Sequence, residues 1–272
     1  MKILLILTLS LMLLFLLAMW FTLPSLRGHP ALIVLKTYRY IAHRGLHDEK
    51  KGIPENSMTA FRLAVEKGYP IETDLHLTAD GEIVLFHDQT LERMCGVGKK
   101  PEEMTLTELK ALSLAGTAEK IPTLGEFLAL VDKKVPVLLE FKAEGFSVGK
   151  LCRAADKLLS RYRGVYFIQS FQPAVPAWYR FHRPSVCRGQ LSAAFRDRNF
   201  GMRFLGDLGF NVFCRPDFIS YEQETSSHPM RRLSAFYGAY QVGWTFPKQE
   251  EIDAKAKIFD TFIFEGFEPE KR

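Results

Sequence analysis

The chain has 272 residues, enough for one large α/β domain, and carries 36 Lys and Arg against 31 Asp and Glu, a formal charge of +5. That small excess permits attraction to phosphate or anionic lipid. It is not the basic signature of a nucleic-acid binder, no basic–aromatic interleaving supplies one, and nothing points to an obligate protein partner. The four cysteines, Cys95, Cys152, Cys187 and Cys214, contain no Cys-x-x-Cys pair, which argues against a structural zinc site and leaves them as free thiols or small core residues.

The first element is an uncharged apolar run over residues 3–23, closed by Pro24. At about 1.5 Å per residue a helix of that length spans roughly 30 Å, the thickness of a bilayer hydrocarbon core. Trp20 sits where an interfacial aromatic belongs. A cleavable signal has a shorter apolar region followed by a small-x-small site, whereas Ala18 is followed by Met19, Trp20 and Phe21. The expectation is a single-pass membrane anchor over residues 1–27 and a folded unit over 28–272. Lys2 lies on one side of the run and Arg27, Lys36 and Arg39 on the other, so the side of the membrane stays open.

Beyond the anchor, short β-type runs alternate with helix-type patterns, the mark of a parallel α/β fold. Strands are expected over residues 40–43, 70–76, 135–141, 165–170, 186–191, 218–220, 240–245 and 261–264, with a short extra strand over 82–87. Helices are expected over 57–66, 105–112, 123–131, 149–161, 174–181, 200–208, 229–237 and 249–258. The helices at 105 and 123 open with Thr-x-x-Glu capping boxes. Eight strands with intervening helices make a (β/α)₈ TIM barrel, and residues 88–122 are too long for a simple βα connection, so they form a small insertion after the second strand.

Catalytic groups of such barrels project from the C-terminal ends of the strands. Glu72 and Asp74 lie two apart on the second strand, hence on one face. Two carboxylates aimed into one barrel mouth repel unless a cation lies between them, and an all-oxygen set suits Mg²⁺ or Ca²⁺. Glu140 on the third strand completes a three-carboxylate site, and Lys142, on the same face, balances charge or meets a phosphate oxygen. His43 and His87 end strands close to this cluster and fit acid–base catalysis. Arg44 suits bidentate phosphate contact. Glu55 stands beside Asn56, which reads as the N-cap of the helix that follows.

The run His43-Arg44-Gly45, then Pro54-Glu55-Asn56-Ser57 with Ala60-Phe61, then Ile71-Glu72-Thr73-Asp74 through Leu77-Thr78 and Asp80-Gly81 to Phe86-His87-Asp88 resembles the glycerophosphodiester phosphodiesterase family. The resemblance continues through Ile121-Pro122-Thr123-Leu124, Glu140-x-Lys142, Ser170-Phe171, Gly243-Trp244-Thr245 and Phe264-Glu265, so it covers residues 39–268. It implies a barrel with a small insertion after the second strand. It further implies metal ligation by Glu72, Asp74 and Glu140, and an acid–base pair of His43 and His87. Arg44, Glu55 and Lys142 would orient the phosphodiester and the glycerol, and Trp244 would line the pocket. His47 and His76 are left as structural or supporting residues.

The implied reaction is metal-dependent hydrolysis of a glycerophosphodiester to glycerol 3-phosphate and an alcohol, the nucleophile being water or the substrate's own glycerol hydroxyl by way of a cyclic phosphate. An alternative is a membrane-proximal phospholipase acting on lysophospholipids or another lipid diester. A catalytically silent tethered binding protein would lack a histidine or a metal carboxylate, and the core set has no gap.

Overall fold

In a computed structural model of the protein, residues 1–143, 147–195 and 198–270 are described. Helix α1 (Lys2–Thr22) holds the apolar run, and a short helix α2 (Leu32–Tyr38) follows. Eight parallel strands close into a barrel in the order β1 (Tyr40–His43), β2 (Ile71–Leu77), β4 (Val137–Phe141), β5 (Tyr166–Ser170), β6 (Cys187–Ser192), β7 (Phe218–Glu222), β8 (Tyr240–Phe246) and β9 (Thr261–Phe264), with β9 returning to β1. The extra strand, β3 (Ile83–Leu85), is shorter than the expected 82–87 and pairs antiparallel with β2.

The helices form where their caps and apolar stripes predict. Helix α3 (Met58–Glu66) is capped by Ser57, whose hydroxyl accepts from the Ala60 amide, and α5 (Leu106–Ala111) and α6 (Leu124–Val131) both carry the expected capping boxes. In the insertion, α5 is joined by a short α4 (Glu92–Cys95). Helices α7 (Val148–Leu159) and α8 (Ala174–His182) follow β4 and β5. The helix expected over 200–208 stops early, as α9 (Phe200–Gly206), and a separate α10 (Asn211–Cys214) leads into β7. Helices α11 (Pro229–Phe236) and α12 (Gln249–Ala254) complete the wall.

Three apolar clusters hold this arrangement. The largest lies between the sheet and the helices, around Phe61, Phe127, Phe141, Tyr179 and Phe262. A second fills the barrel at the N-terminal ends of its strands, where Leu35 of α2 meets Ile41, Leu138, Phe167, Phe218 and Val242. The third belongs to the insertion and β3. Sequence patterning gave no sign of α2: Leu32–Tyr38 is short and β-branched, and burial of Leu35 against the barrel floor decides its conformation. Leu35→Ala therefore leaves a cavity under the barrel and should cost about 2–5 kcal/mol, read as a lower denaturation midpoint. A midpoint equal to that of the unaltered chain would show that α2 seals nothing.

Candidate functional site

The turn after β1 builds the first wall of the site. Arg44 and Gly45 both have positive φ, +53° and +81°. A Cβ on Gly45 would come within 2.8 Å of the Ala60 backbone, so only glycine fits this tight approach of the turn to α3. Asn56 also has positive φ, at +52°. It is not the helix N-cap, as expected from sequence; Ser57 takes that place. Asn56 instead accepts from Thr73 Oγ1 at 2.7 Å and donates to Asp74 Oδ2 at 2.9 Å, fixing one of the carboxylates.

Strand register then assembles the acidic cluster. His43 pairs with Glu72 across β1 and β2, and Asp74 with Glu140 across β2 and β4. Glu72, Asp74 and Glu140 are all buried, and each offers an oxygen within 4.8 Å of the others. Lys142 Nζ lies 3.0 Å from Asp74 Oδ1 and 2.5 Å from Glu140 Oε1. Arg44 donates to Glu55 Oε1 at 2.9 Å and stands 3.5 Å from Asp74 Oδ2.

The charges are unequally settled. Burial, aided by Asp74 and Glu140, pushes the Glu72 carboxyl well above the usual carboxylate range. Burial opposes ionisation of Asp74 too, but Lys142, His87 and Arg44 outweigh it and hold Asp74 well below that range. Burial works against the Lys142 ammonium, yet Asp74 and Glu140 keep its pKa above the ordinary lysine value. The cluster thus holds one carboxyl that ionises readily only if more positive charge arrives.

Each of the two candidate histidines is held by a carboxylate. His43 Nδ1 meets Glu265 Oε2 at 2.6 Å, and His87 Nδ1 meets Asp88 Oδ1 at 2.7 Å. Both contacts use Nδ1 and leave Nε2 for proton exchange; His43 Nε2 faces Glu72 Oε2 at 3.9 Å. Burial lowers the His87 pKa against the partial support of Asp74. The hydrogen bond from His43 holds Glu265 below the usual carboxylate range.

Of the nine residues expected at the site, His43, Arg44, Glu55, Glu72, Asp74, His87, Glu140 and Lys142 converge on one end of the barrel. Trp244 stands further back, its ring against Phe171 with 5.6 Å between centroids. Phe171 in turn lines a pocket of about 580 Å³ with His87, Glu140, Lys142 and His76. A second pocket, of about 820 Å³, opens beside Glu265, His47 and Lys50.

Three supporting contacts were not foreseen. Glu265 braces His43; its place at the end of the last strand, like the other site residues, was an available signal. Arg93 of α4 bridges Glu55 and Asp88 at 2.6 Å each, tying the insertion to both. Buried His76 meets Glu102 Oε1 at 2.6 Å, a second such tie. Nothing in the local sequence marks Arg93 or Glu102, because Glu55 and His76 lie far from them along the chain.

A family model described as the glycerophosphoryl diester phosphodiesterase family matches residues 43–197. The chain is similar to a glycerophosphodiester phosphodiesterase of Caldanaerobacter subterraneus, 40% identical over 112 residues, which are 38% of this chain and 44% of that protein. It is also similar to human glycerophosphodiester phosphodiesterase 1, 30% identical over 166 residues, 56% of this chain and 48% of the other. The chain thus spans about half the length of these relatives. Among solved structures, an Oleispira antarctica phosphodiesterase in complex with the product sn-glycerol-3-phosphate superposes with a TM-score of 0.68 at 22% identity, over 84% of this chain and 92% of that one. A Thermotoga maritima glycerophosphodiester phosphodiesterase gives 0.64 at 24% identity, over 83% and 93%. At these identities the superpositions establish the shared fold.

Proposed function

Because the chain belongs to the glycerophosphoryl diester phosphodiesterase family, we propose that it hydrolyses glycerophosphodiesters to glycerol 3-phosphate and an alcohol, with a divalent metal ion in the Glu72, Asp74 and Glu140 cluster. The observation that carries this reading is the buried carboxylate triad beside two carboxylate-braced histidines.

The donor set fits a metal. Three buried carboxylates within 4.8 Å form an all-oxygen site of the kind that takes a hard cation, Mg²⁺ or Ca²⁺. The raised Glu72 pKa marks a charge deficit that such an ion fills. Bound there, the ion would draw negative charge from a non-bridging phosphate oxygen.

The chain's own residues do the rest. Arg44 and Lys142 place positive charge where the diester's anionic oxygens must lie. Glu55, ionised because Arg93 and Arg44 outweigh its burial, keeps the Arg44 guanidinium in place and can accept from a glycerol hydroxyl. His43 and His87 form the acid–base pair: one takes the nucleophile's proton at Nε2 and the other protonates the departing alcohol. Phe171 forms the aromatic wall of the pocket on the His87 side, and Trp244 backs it. Helix α1, long and apolar enough to cross a membrane, would anchor the protein as a single-pass span. It is also the feature that favours a lipid substrate, a lysophospholipid, as the second reading.

The test is a substrate panel on the purified full chain with Mg²⁺ or Ca²⁺: glycerophosphocholine, glycerophosphoethanolamine and lysophosphatidylcholine, with glycerol 3-phosphate as readout. Release from the first two supports the proposal. Choline release with lysophosphatidic acid from lysophosphatidylcholine alone would favour the second reading, and no phosphodiester cleavage would overturn both.

A further inference from the structure

The last residues of α1 are fixed to the barrel rather than hung from it. Arg215 Nη1 donates to the carbonyls of Trp20 and Leu23, at 3.0 and 2.7 Å, and Asn211 Nδ2 donates to the Thr22 carbonyl at 2.9 Å. The Ser25 amide donates to the Pro216 carbonyl at 2.8 Å, and Arg27 grips Asp217 with two bonds of 2.7 and 2.6 Å. His29 reaches the Ser185 carbonyl at 3.0 Å, and α2 then closes the barrel floor. No free linker separates the apolar helix from the domain.

These attachment points lie at the basal end of the barrel. Ser185 lies two residues before β6, and Pro216 and Asp217 are the two residues before β7. The site stands at the other end. Strands of four to seven residues, at about 3.3 Å per residue, put roughly 20 Å between the two.

The basal end also carries a collar of exposed apolar side chains. Leu26 and Ile33 border the floor, Phe181 closes α8, Phe213 stands on α10 beside the exit of α1, and Phe236 ends α11; their exposure runs from 55% to 84%. Isolated exposed apolar residues are ordinary, but five around one end of a barrel, beside an apolar helix, form a surface suited to a bilayer interface. Its charge matches. Lys133, Lys134, Arg161 and Arg163 are exposed on the loops entering β4 and β5. Of the acidic groups at this end, Asp156 and Asp217 are taken up by Arg183 and Arg27 and Asp207 faces His228, while Glu66, Asp132 and Asp260 are exposed, fewer than the four cations.

We propose that the basal end of the barrel rests on the anionic lipid surface that α1 enters, so that the substrate mouth opens away from that bilayer and takes diesters dissolved in water rather than lipids held beneath it. This rests on α1 being kept as a span. With no slack between helix and barrel, the mouth cannot swing down to lipid in the same membrane. It deepens the functional reading by selecting water-soluble glycerophosphodiesters over lysolipids of the host bilayer.

The test uses the full chain reconstituted in phosphatidylserine-containing vesicles, in a Cys95→Ser background. An environment-sensitive fluorophore is placed singly by Phe181→Cys, Phe213→Cys or Phe236→Cys at the base, and by Lys50→Cys or Lys99→Cys near the mouth. Lipids carrying a shallow nitroxide are then added. The expected result is loss of most emission at the three basal positions and none at the two mouth positions. Quenching at the mouth, or none at the base, would overturn the proposal. So would intact mass showing that residues 1–22 are absent from the mature protein. Glycerol 3-phosphate release from glycerophosphocholine is measured on the same vesicles; its absence alongside the expected quenching would count against the catalytic reading and leave the orientation standing.

Discussion

His43→Ala and His87→Ala each lower kcat by about 10²–10⁴-fold, the range of a lost general acid or base, while the denaturation midpoint stays near that of the unaltered chain. The expectation follows from geometry. Each ring is clamped through Nδ1, by Glu265 in one case and Asp88 in the other, and each clamp aims Nε2 at the carboxylate cluster or its pocket. The two rings come from separate segments, β1 and the loop after β3, so each loss should be seen singly. Neither ring holds the fold together, since neither belongs to the apolar clusters that do. Steady-state kinetics with glycerophosphocholine checks the outcome. Turnover within a factor of a few of normal in both variants would remove the histidines from the mechanism.

If the metal assignment is right, chelation should abolish turnover, and Mg²⁺ or Ca²⁺ should restore it. Asp74→Asn does the same irreversibly, because Asp74 is the carboxylate that Asn56, Lys142 and Arg44 all hold. The stabilising effect of the ion has a pH dependence whose sign is fixed by Glu72. In the metal-free protein, the Glu72 pKa lies above its unfolded value, so its contribution to stability is present below the unfolded pKa and is lost as pH rises through the raised one. Metal binding requires the ionised form. The gain in denaturation midpoint on adding the ion should therefore grow as pH rises above the ordinary carboxyl range, measured by calorimetry with and without chelator. A gain that shrinks as pH rises, or activity undiminished by chelator, would refute the metal assignment.

Much of this site could be read from the sequence because its residues sit at strand ends, where alternation and chain order carry geometric meaning. Glu72 and Asp74 two apart on β2 had to share a face, and register brought Glu140 beside them. What could not be read depends on contacts between distant segments. Helix α2 forms because Leu35 is buried under the barrel, against the β-branched character of its own residues. Asn56 looked like a cap, yet its left-handed backbone turns the side chain to Asp74 and leaves capping to Ser57. Arg93 and Glu102 acquire meaning only once the insertion folds over the barrel. The cysteines agree with their reading from spacing: all four are free, and burial pushes the Cys152 and Cys214 thiols up to about 12.

The insertion has an apolar cluster of its own, built on Val84, Phe86, Leu91, Met94, Leu109 and Ile121, and among the described residues its charged ties to the site are Arg93 and Glu102. Such a segment can change its sequence almost independently of the barrel. Selection acting on its helices could reshape what the pocket admits while the carboxylates, the histidines and the strands beneath them stay fixed. The barrel then supplies an invariant reaction, and the insertion is where lineages of this chain can diverge in diet.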